Sequence, residues 1–161
     1  MEEIKLKPIG IVRSGATPEQ VKEGKYAGES IIEIYPEFEQ GLEGLQGFSH
    51  IFVLAYFNML RPEQIGPLKV KPRGLLRYGL TLEELPTIGV FALDSPTRPN
   101  PIALSLVHLI KITQNRLRVA NLDLFDGTPV LDIKPYQASY HLDSYNIPAW
   151  HKRLIERAGR V

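Results

Sequence analysis

The chain has 161 residues, a length that predicts one domain, and its 43% apolar and 23% charged residues are the balance of a soluble globular protein. It contains no cysteine, which excludes a disulfide scaffold, a thiolate zinc site, an iron–sulfur cluster and a cysteine nucleophile. The formal net charge of +1 exerts no global pull on nucleic acid. The N-terminal MEEIKLKPIG has no apolar signal-peptide core, and no apolar run approaches the ~20 residues that cross a bilayer, so a cytoplasmic protein is expected.

Strand signals dominate the chain. Leu6–Ser14 reads as a first strand and Ser30–Tyr35 as a second, stopped by Pro36. His50–Leu60 (HIFVLAYFNML) is a long apolar and aromatic run, which predicts a central strand buried on both faces. Ile88–Leu93 is a fourth strand. Ala103–Thr113 and Arg116–Phe125 bracket the turn signal Gln114-Asn115 and form a hairpin. Val130–Lys134 is a short last strand, ended by Pro135. Pro148–Ala158 is the one convincing helix, with proline suited to its first turn and Gly159 as a stop. Strands without intervening long helices predict a mainly β fold: a single closed or nearly closed antiparallel barrel, a few short helices and a C-terminal helix.

Charge is unevenly distributed along the chain. Glu29, Glu33, Glu37, Glu39 and Glu43 precede Gly47 with no Lys or Arg among them, whereas Arg61, Lys69, Lys71, Arg73 and Arg77 face Glu63 alone. Lys152, Arg153, Arg157 and Arg160 add a second basic stretch. These are either solvated surface or a basic face that attracts phosphate. Two connections, Gly15–Glu29 and Arg61–Thr87, exceed the ~12–15 residues beyond which loops are usually functional or disordered; the second is expected to border the site and to hold a short helix near Thr81–Leu85.

Three segments invite a chemical reading. Gly41–Gly47 (GLEGLQG) lacks the dinucleotide spacing and a βαβ setting, and reads as a turn feeding the central strand. Asp94–Pro101 (DSPTRPNP) holds three prolines, Pro96, Pro99 and Pro101, which stiffen the backbone and set the directions of Asp94, Ser95, Arg98 and Asn100. Arg98 offers a fork suited to carboxylate or phosphate, unless it makes a structural salt bridge. In Leu122–Tyr136 (LDLFDGTPVLDIKPY), Asp126-Gly127 is a turn signal. Strand alternation there puts Val130, Asp132 and Lys134 on one face and Leu131 and Ile133 toward the core. Asp132 and Lys134 are then either an exposed ion pair or part of a polar site with Asp123, Asp126 and Tyr136. The four histidines have no zinc-ligand spacing, and no metal site is expected; His108, inside an apolar strand, is expected in the core.

Taken together, DSPTRPNPIALSLVHL and LDLFDGTPVLDIKPY resemble the paired signatures of the TsaA-like (TrmO) family. Pro8-Ile9-Gly10 with Arg13-Ser14, Gly41–His50 and Pro72-Arg73-Gly74 extend the resemblance over Pro8 to Tyr136, as a short barrel-only form. The resemblance implies a homodimeric β-barrel that binds S-adenosylmethionine without a Rossmann sheet. It implies transfer of a methyl group to the exocyclic amine of a threonylcarbamoylated adenosine beside the anticodon of tRNA. By matching positions, Asn58, Met59, Asp94, Ser95, Leu104, Asn121, Leu122 and Asp123 would bind the cofactor. Arg98, Asn100, Lys134 and Tyr136 would bind the substrate, with Asp126 and Asp132 as candidate catalytic groups. The chain departs from the family pattern at Asp94 (usually Arg), Ala103 (usually Gly), Asn58-Met59 (usually His-Gln) and Pro18–Lys22 (often Pro-Arg-Gln). Two other readings are a non-catalytic barrel holding a nucleotide-like ligand or RNA, and a metal-dependent hydrolase using the three aspartates.

Overall fold

The computed structural model describes residues 3–22 and 28–159. Part of the Gly15–Glu29 connection, and Arg160 of the basic C-terminal stretch, lie outside the described residues. In chain order the elements are β1 (Gly10–Ser14), α1 (Pro18–Lys22), β2 (Glu29–Ile34), β3 (His50–Tyr56), β4 (Lys69–Val70), β5 (Ile88–Gly89), β6 (Ile102–Thr113), β7 (Arg116–Ala120), β8 (Pro129–Pro135) and α2 (Ala149–Arg157). Contacts group the chain into two compact units, Met1–Leu60 with Pro101–Tyr136, and Arg61–Asn100 with Gln137–Val161.

The first unit is the predicted barrel, closed in the order β1-β2-β7-β6-β3-β8 with every neighbouring pair antiparallel. Strand alternation fills its interior. Val12, Ile32, Ile34, Ile51, Val53, Val107, Leu117 and Val119 are buried, and Leu122 and Leu124 plug the core from the connection after β7. Each such side chain contributes roughly 1.5–3 kcal/mol on burial. The β6–β7 hairpin turns at Gln114, which takes a left-handed φ of 54°. Asn115 ties the tip to β2, donating from Nδ2 to the Ile34 carbonyl at 2.6 Å and accepting the Ile34 amide at 2.8 Å.

Closure depends on the seam between β1 and β8, which holds two residue pairs, Gly10↔Val130 and Ile11↔Pro129. Beyond it, Val12 continues the seam by donating to Thr128 and accepting from Gly127, both at 2.9 Å. A side chain at Gly10 would meet the Glu33 carbonyl at 2.5 Å, so only glycine lets β1 lie this close to β2.

Several expectations are corrected. β3 stops at Tyr56 and alternates, with Ile51, Val53 and Ala55 inward and His50 and Tyr56 exposed, because a barrel strand has one core face rather than two. His108 is exposed: it shares the outward phase of β6 and lies opposite His50, ring centroids 5.3 Å apart. In β8 the pairing with β3 slips by one residue between Leu54↔Asp132 and Ala55↔Val130. That bulge resets the alternation, so Val130 and Ile133 both pack on the core and Leu131 does not.

The second unit has its own small core, Leu80, Leu85 and Leu154, with Leu75, Leu76, Tyr78 and Trp150 packed against it. The expected strand Ile88–Leu93 is shorter: β5 pairs with β4 through Lys69↔Gly89 and Val70↔Ile88, and a 3-10 turn follows at Val90–Ala92. Residues 81–85 form a turn rather than a helix, and a 3-10 helix stands instead at Arg73–Tyr78, closed by Gly79 at φ 84°. Pro86 follows too closely for a helix to continue. Glu84 accepts the Thr81 amide at 2.7 Å and pairs with Arg157 of α2. The Thr81 amide first, and then the Arg157 guanidinium, hold its carboxyl below the usual glutamate range.

Gly10→Ala is expected to destabilise the barrel by about 1–3 kcal/mol, the usual penalty for overpacking a tight backbone contact. Chemical denaturation of the two proteins measures this, and an unchanged midpoint would contradict the close approach at β1.

Candidate functional site at the barrel rim

An antiparallel barrel brings alternate strand ends to the same rim. Here the end of β3, the start of β6, the end of β7 and the start of β8 meet. Six residues of the predicted cofactor set belong to that rim: Asn58, Met59, Leu104, Asn121, Leu122 and Asp123. Asp126 joins them from the turn before β8. Asn58 donates from Nδ2 to the Gly127 carbonyl at 3.5 Å, linking the end of β3 to that turn. Phe57 donates its amide to the Pro101 carbonyl at 2.9 Å, which fixes the entry of β6 beside it.

The connection after β7 starts with a reversal. Asn121 adopts φ 65°, a left-handed conformation that asparagine tolerates better than most side chains. The chain then sends Leu122 into the core, fully buried, and Asp123 outward. Leu122 can therefore offer a ligand only its backbone. Asp123 accepts the Ser105 hydroxyl on Oδ1 at 2.7 Å. Ser105 occupies an inward position of β6 and is 9% exposed, a polar residue in an otherwise apolar alternation. The sequence signal for its role was that interruption, between Ala103 and Val107. Asp126 accepts the Ser14 amide on Oδ1 at 3.0 Å, so the end of β1 also borders the rim. Leu104 and Met59 add exposed apolar surface, 68% and 59% accessible.

The remaining barrel candidates lie elsewhere. Asp132 and Lys134 pair at 2.8 Å on the outer face of β8, opposite Leu54 and Phe52. Tyr136 follows toward the other end, its ring 5.8 Å from that of Phe52. At roughly 3.3 Å per residue, Lys134 stands about 17 Å along the strand from its start beside Asp126. Among the described residues, Asp123, Asp126 and Asp132 do not form a group able to hold a metal ion. Near that far end a cleft of about 520 Å³ opens between the Pro36–Gly47 segment and β8, lined by Glu37, Phe38, Leu42, Phe48, Asp132 and Ile133. Sequence reasoning treated Gly41–Gly47 as a turn and did not anticipate the cleft, which forms only where that segment meets β8.

In the second unit, Arg98 anchors the proline-rich loop. Its Nε donates to the Ser95 carbonyl at 2.8 Å, and its Nη2 donates to the carbonyls of Val90, at 3.3 Å, and Leu93. Its partners are thus backbone carbonyls rather than the carboxylate of a salt bridge. The Arg98 carbonyl in turn accepts the Gly66 amide at 3.3 Å. Ser95 Oγ accepts the Thr97 amide at 3.3 Å, while Asp94 and Asn100 are exposed. The Pro18–Lys22 segment, which departs from the resemblance, is a short helix opened by a reciprocal pair: Thr17 donates its amide to Gln20 Oε1, and Gln20 donates its own to Thr17 Oγ1.

Proteins similar to this chain in sequence and architecture point to one family. Residues 12–142 match the family model described as the tRNA-methyltransferase O N-terminal domain. A probable S-adenosyl-L-methionine-binding protein of Pyrococcus abyssi is 40% identical over 94% of this chain and 78% of its own length. The tRNA (adenine(37)-N6)-methyltransferase of Escherichia coli is 35% identical over 84% of this chain and 59% of its own. A crystal structure of TrmO superposes with a TM-score of 0.67 at 31% identity, covering 90% of this chain and 64% of that one. The chain thus spans just under two thirds of the TrmO structure it matches. It belongs to the tRNA-methyltransferase O family, a family of S-adenosylmethionine-dependent methyltransferases.

Proposed function

We propose that this chain transfers a methyl group from S-adenosylmethionine to the exocyclic amine of threonylcarbamoylated adenosine beside the anticodon of tRNA. The observation that carries the reading is the rim cluster, where Asn58, Met59, Leu104, Asn121, Asp123 and Asp126 converge from separate parts of the sequence. Its donor set suits the cofactor. Asp123, held on one oxygen by Ser105, keeps the other for a hydroxyl or ammonium. Met59 and Leu104 supply apolar surface for a base, and Asn58 and Asn121 supply amide donors and acceptors. Bound there, the sulfonium would supply an already activated methyl carbon.

The protein's work is then alignment, exclusion of water and removal of one proton. The modified adenine nitrogen is a weak nucleophile, so an acceptor near its N–H favours the reaction. Asp126 is our candidate, oriented by the Ser14 amide; Asp132, the other expected group, is paired with Lys134 away from the rim. Arg98 retains its Nη1 for the threonyl carboxylate and Asn100 offers an amide edge, whereas Lys134 and Tyr136, toward the far end of β8 from Asp126, stand apart from the rim cluster. By the family resemblance, Asp94 and Ser95 would also bind the cofactor.

The protein would act in the cytoplasm as a homodimer. Among the described residues no helix is long and apolar enough to cross a membrane. The outward face of β3 and β6 pairs Phe52 with Leu106, Leu54 with Leu104 and Tyr56 with Ile102, an apolar strip suited to a second copy. The alternative reading is a barrel that binds the cofactor without turnover.

Calorimetry with S-adenosylmethionine, followed by single-turnover methylation of threonylcarbamoylated tRNA, tests the proposal. Binding with transfer is expected; binding without transfer would leave the non-catalytic barrel, and no binding would sink both. Asp126→Asn should slow transfer by roughly 10²–10⁴-fold, the usual contribution of a positioned base, with cofactor affinity little changed. Light scattering should give twice the chain mass, and Leu106→Glu should yield monomers. Arg98→Ala should lower the melting temperature, since three carbonyls lose their donor, at about 1–3 kcal/mol for an unsatisfied group. It should also slow turnover per folded molecule, with Arg98→Lys restoring part. Unchanged turnover would restrict Arg98 to holding the loop.

A further inference from the structure

The near-neutral net charge conceals a division. The second unit, Arg61–Asn100 with Gln137–Val161, carries ten Lys and Arg against six Asp and Glu, a net of +4. The barrel unit carries nine against twelve, a net of −3. Two basic stretches remote in sequence, around residues 69–77 and 152–157, therefore belong to one compact body with a shared core. Some of these cations are used within the unit: Arg61 pairs with Glu63, Lys152 with Glu156 and Arg157 with Glu84. Lys69, Arg73 and Arg153 are exposed, and no partner for them occurs among the described residues.

Two residues after Gly89, which pairs with Lys69, comes Phe91, whose side chain is 82% exposed. One exposed apolar residue is ordinary. Phe91 differs in how firmly its backbone is held. Val90, immediately before it, is fully buried and donates its amide to the Leu68 carbonyl at 2.9 Å, across the ribbon from Lys69. The carbonyls of Val90 and Leu93, on either side of Phe91, both accept from Arg98 Nη2. Three prolines stiffen the loop that carries Arg98. The ring is thus displayed outward on a clamped 3-10 turn and loses little backbone entropy when something stacks on it. A rigid aromatic face on a unit with a net positive charge suits single-stranded nucleic acid: bases stack on the ring while phosphates meet the charges.

The geometry points to Phe91 as a stacking platform for an unpaired base of the RNA loop, with Lys69 and Arg73 contacting the flanking phosphates. This inference rests on the tRNA reading above and identifies the surface through which the second unit would hold the loop. Its chemistry separates into two terms. Stacking should depend little on salt, whereas each phosphate contact contributes to the salt dependence.

The test uses the full chain and an anticodon stem-loop RNA carrying 2-aminopurine in its loop, with affinity followed by fluorescence anisotropy across a salt series. Phe91→Ala should weaken binding by about fivefold or more, the scale of one base–aromatic stack, and abolish the 2-aminopurine quenching, leaving the salt slope and melting temperature unchanged. Phe91→Tyr should restore both affinity and quenching. Lys69→Ala and Arg73→Ala should each reduce the slope of log K against log salt by about 0.7, the single-strand value for one phosphate contact. No RNA binding by the unaltered chain would remove the tRNA reading and this inference with it. Binding by the unaltered chain and by Phe91→Ala with equal affinity would overturn the platform and leave the tRNA reading standing. A shift of Phe91→Ala to monomers by light scattering, with RNA affinity unchanged, would assign the ring to self-association and likewise overturn it.

Discussion

The candidate rim exists because β1 can lie between β2 and β8. Six strands close into a barrel only if the first meets the last, and that seam holds two residue pairs beside Gly10. Any side chain there would press on the Glu33 carbonyl. An opened seam would expose unpaired backbone groups on both edge strands and loosen the core they enclose. It would also free the turn at Asp126-Gly127, which β1 holds through Val12 and Ser14. Closure of the sheet and orientation of a candidate catalytic carboxylate are therefore linked by the same stretch of backbone.

At the rim, polar groups are organised from the inside of the barrel. Ser105 takes an inward position that its neighbours fill with apolar side chains, and its hydroxyl reaches Asp123. An unpaired hydroxyl buried there would cost about 1–3 kcal/mol, so the bond to Asp123 both satisfies the serine and aims the carboxylate. Asn121 accepts a left-handed backbone so that Leu122 can enter the core and Asp123 can stay out. Such strain at a rim loop is common where a side chain must be aimed.

The second unit follows a different logic. Its hydrophobic core is small, and polar clamps supplement it: Glu84 joins the Thr81 turn to α2 through Arg157, and Arg98 gathers three carbonyls of one loop. Proline supplies part of the order that hydrophobic burial supplies in the barrel, by reducing the freedom of the unfolded chain. Arginine serves this purpose well because its planar fork can satisfy several carbonyls from one buried stem.

Much of the fold was legible in the sequence because strand alternation and turn chemistry are local. The strands now numbered β1, β2, β6, β7 and β8, the Gln114-Asn115 turn and α2 were marked by pattern, although β1 begins at Gly10 rather than Leu6 and β7 ends at Ala120 rather than Phe125, and a chain of short strands without crossover helices implied an antiparallel barrel. The signatures at Asp94–Pro101 and Leu122–Tyr136 pointed to the family whose model the chain matches. Other features depend on partners distant in the chain. The outward place of His108 follows from barrel closure, which gives every strand one core face. The slip opposite Leu54 moved Val130 inward, and no local signal marks a bulge whose cause lies across the strand pair. The separation of Lys134 from Asp126 is set by distance along β8, although eight positions look close in sequence. The sequence alone determined the strand-rich class, the family and the chemical types available. Tertiary structure decided which of those groups meet, because meeting requires strand order and register, and both are settled by pairing between segments far apart in the chain.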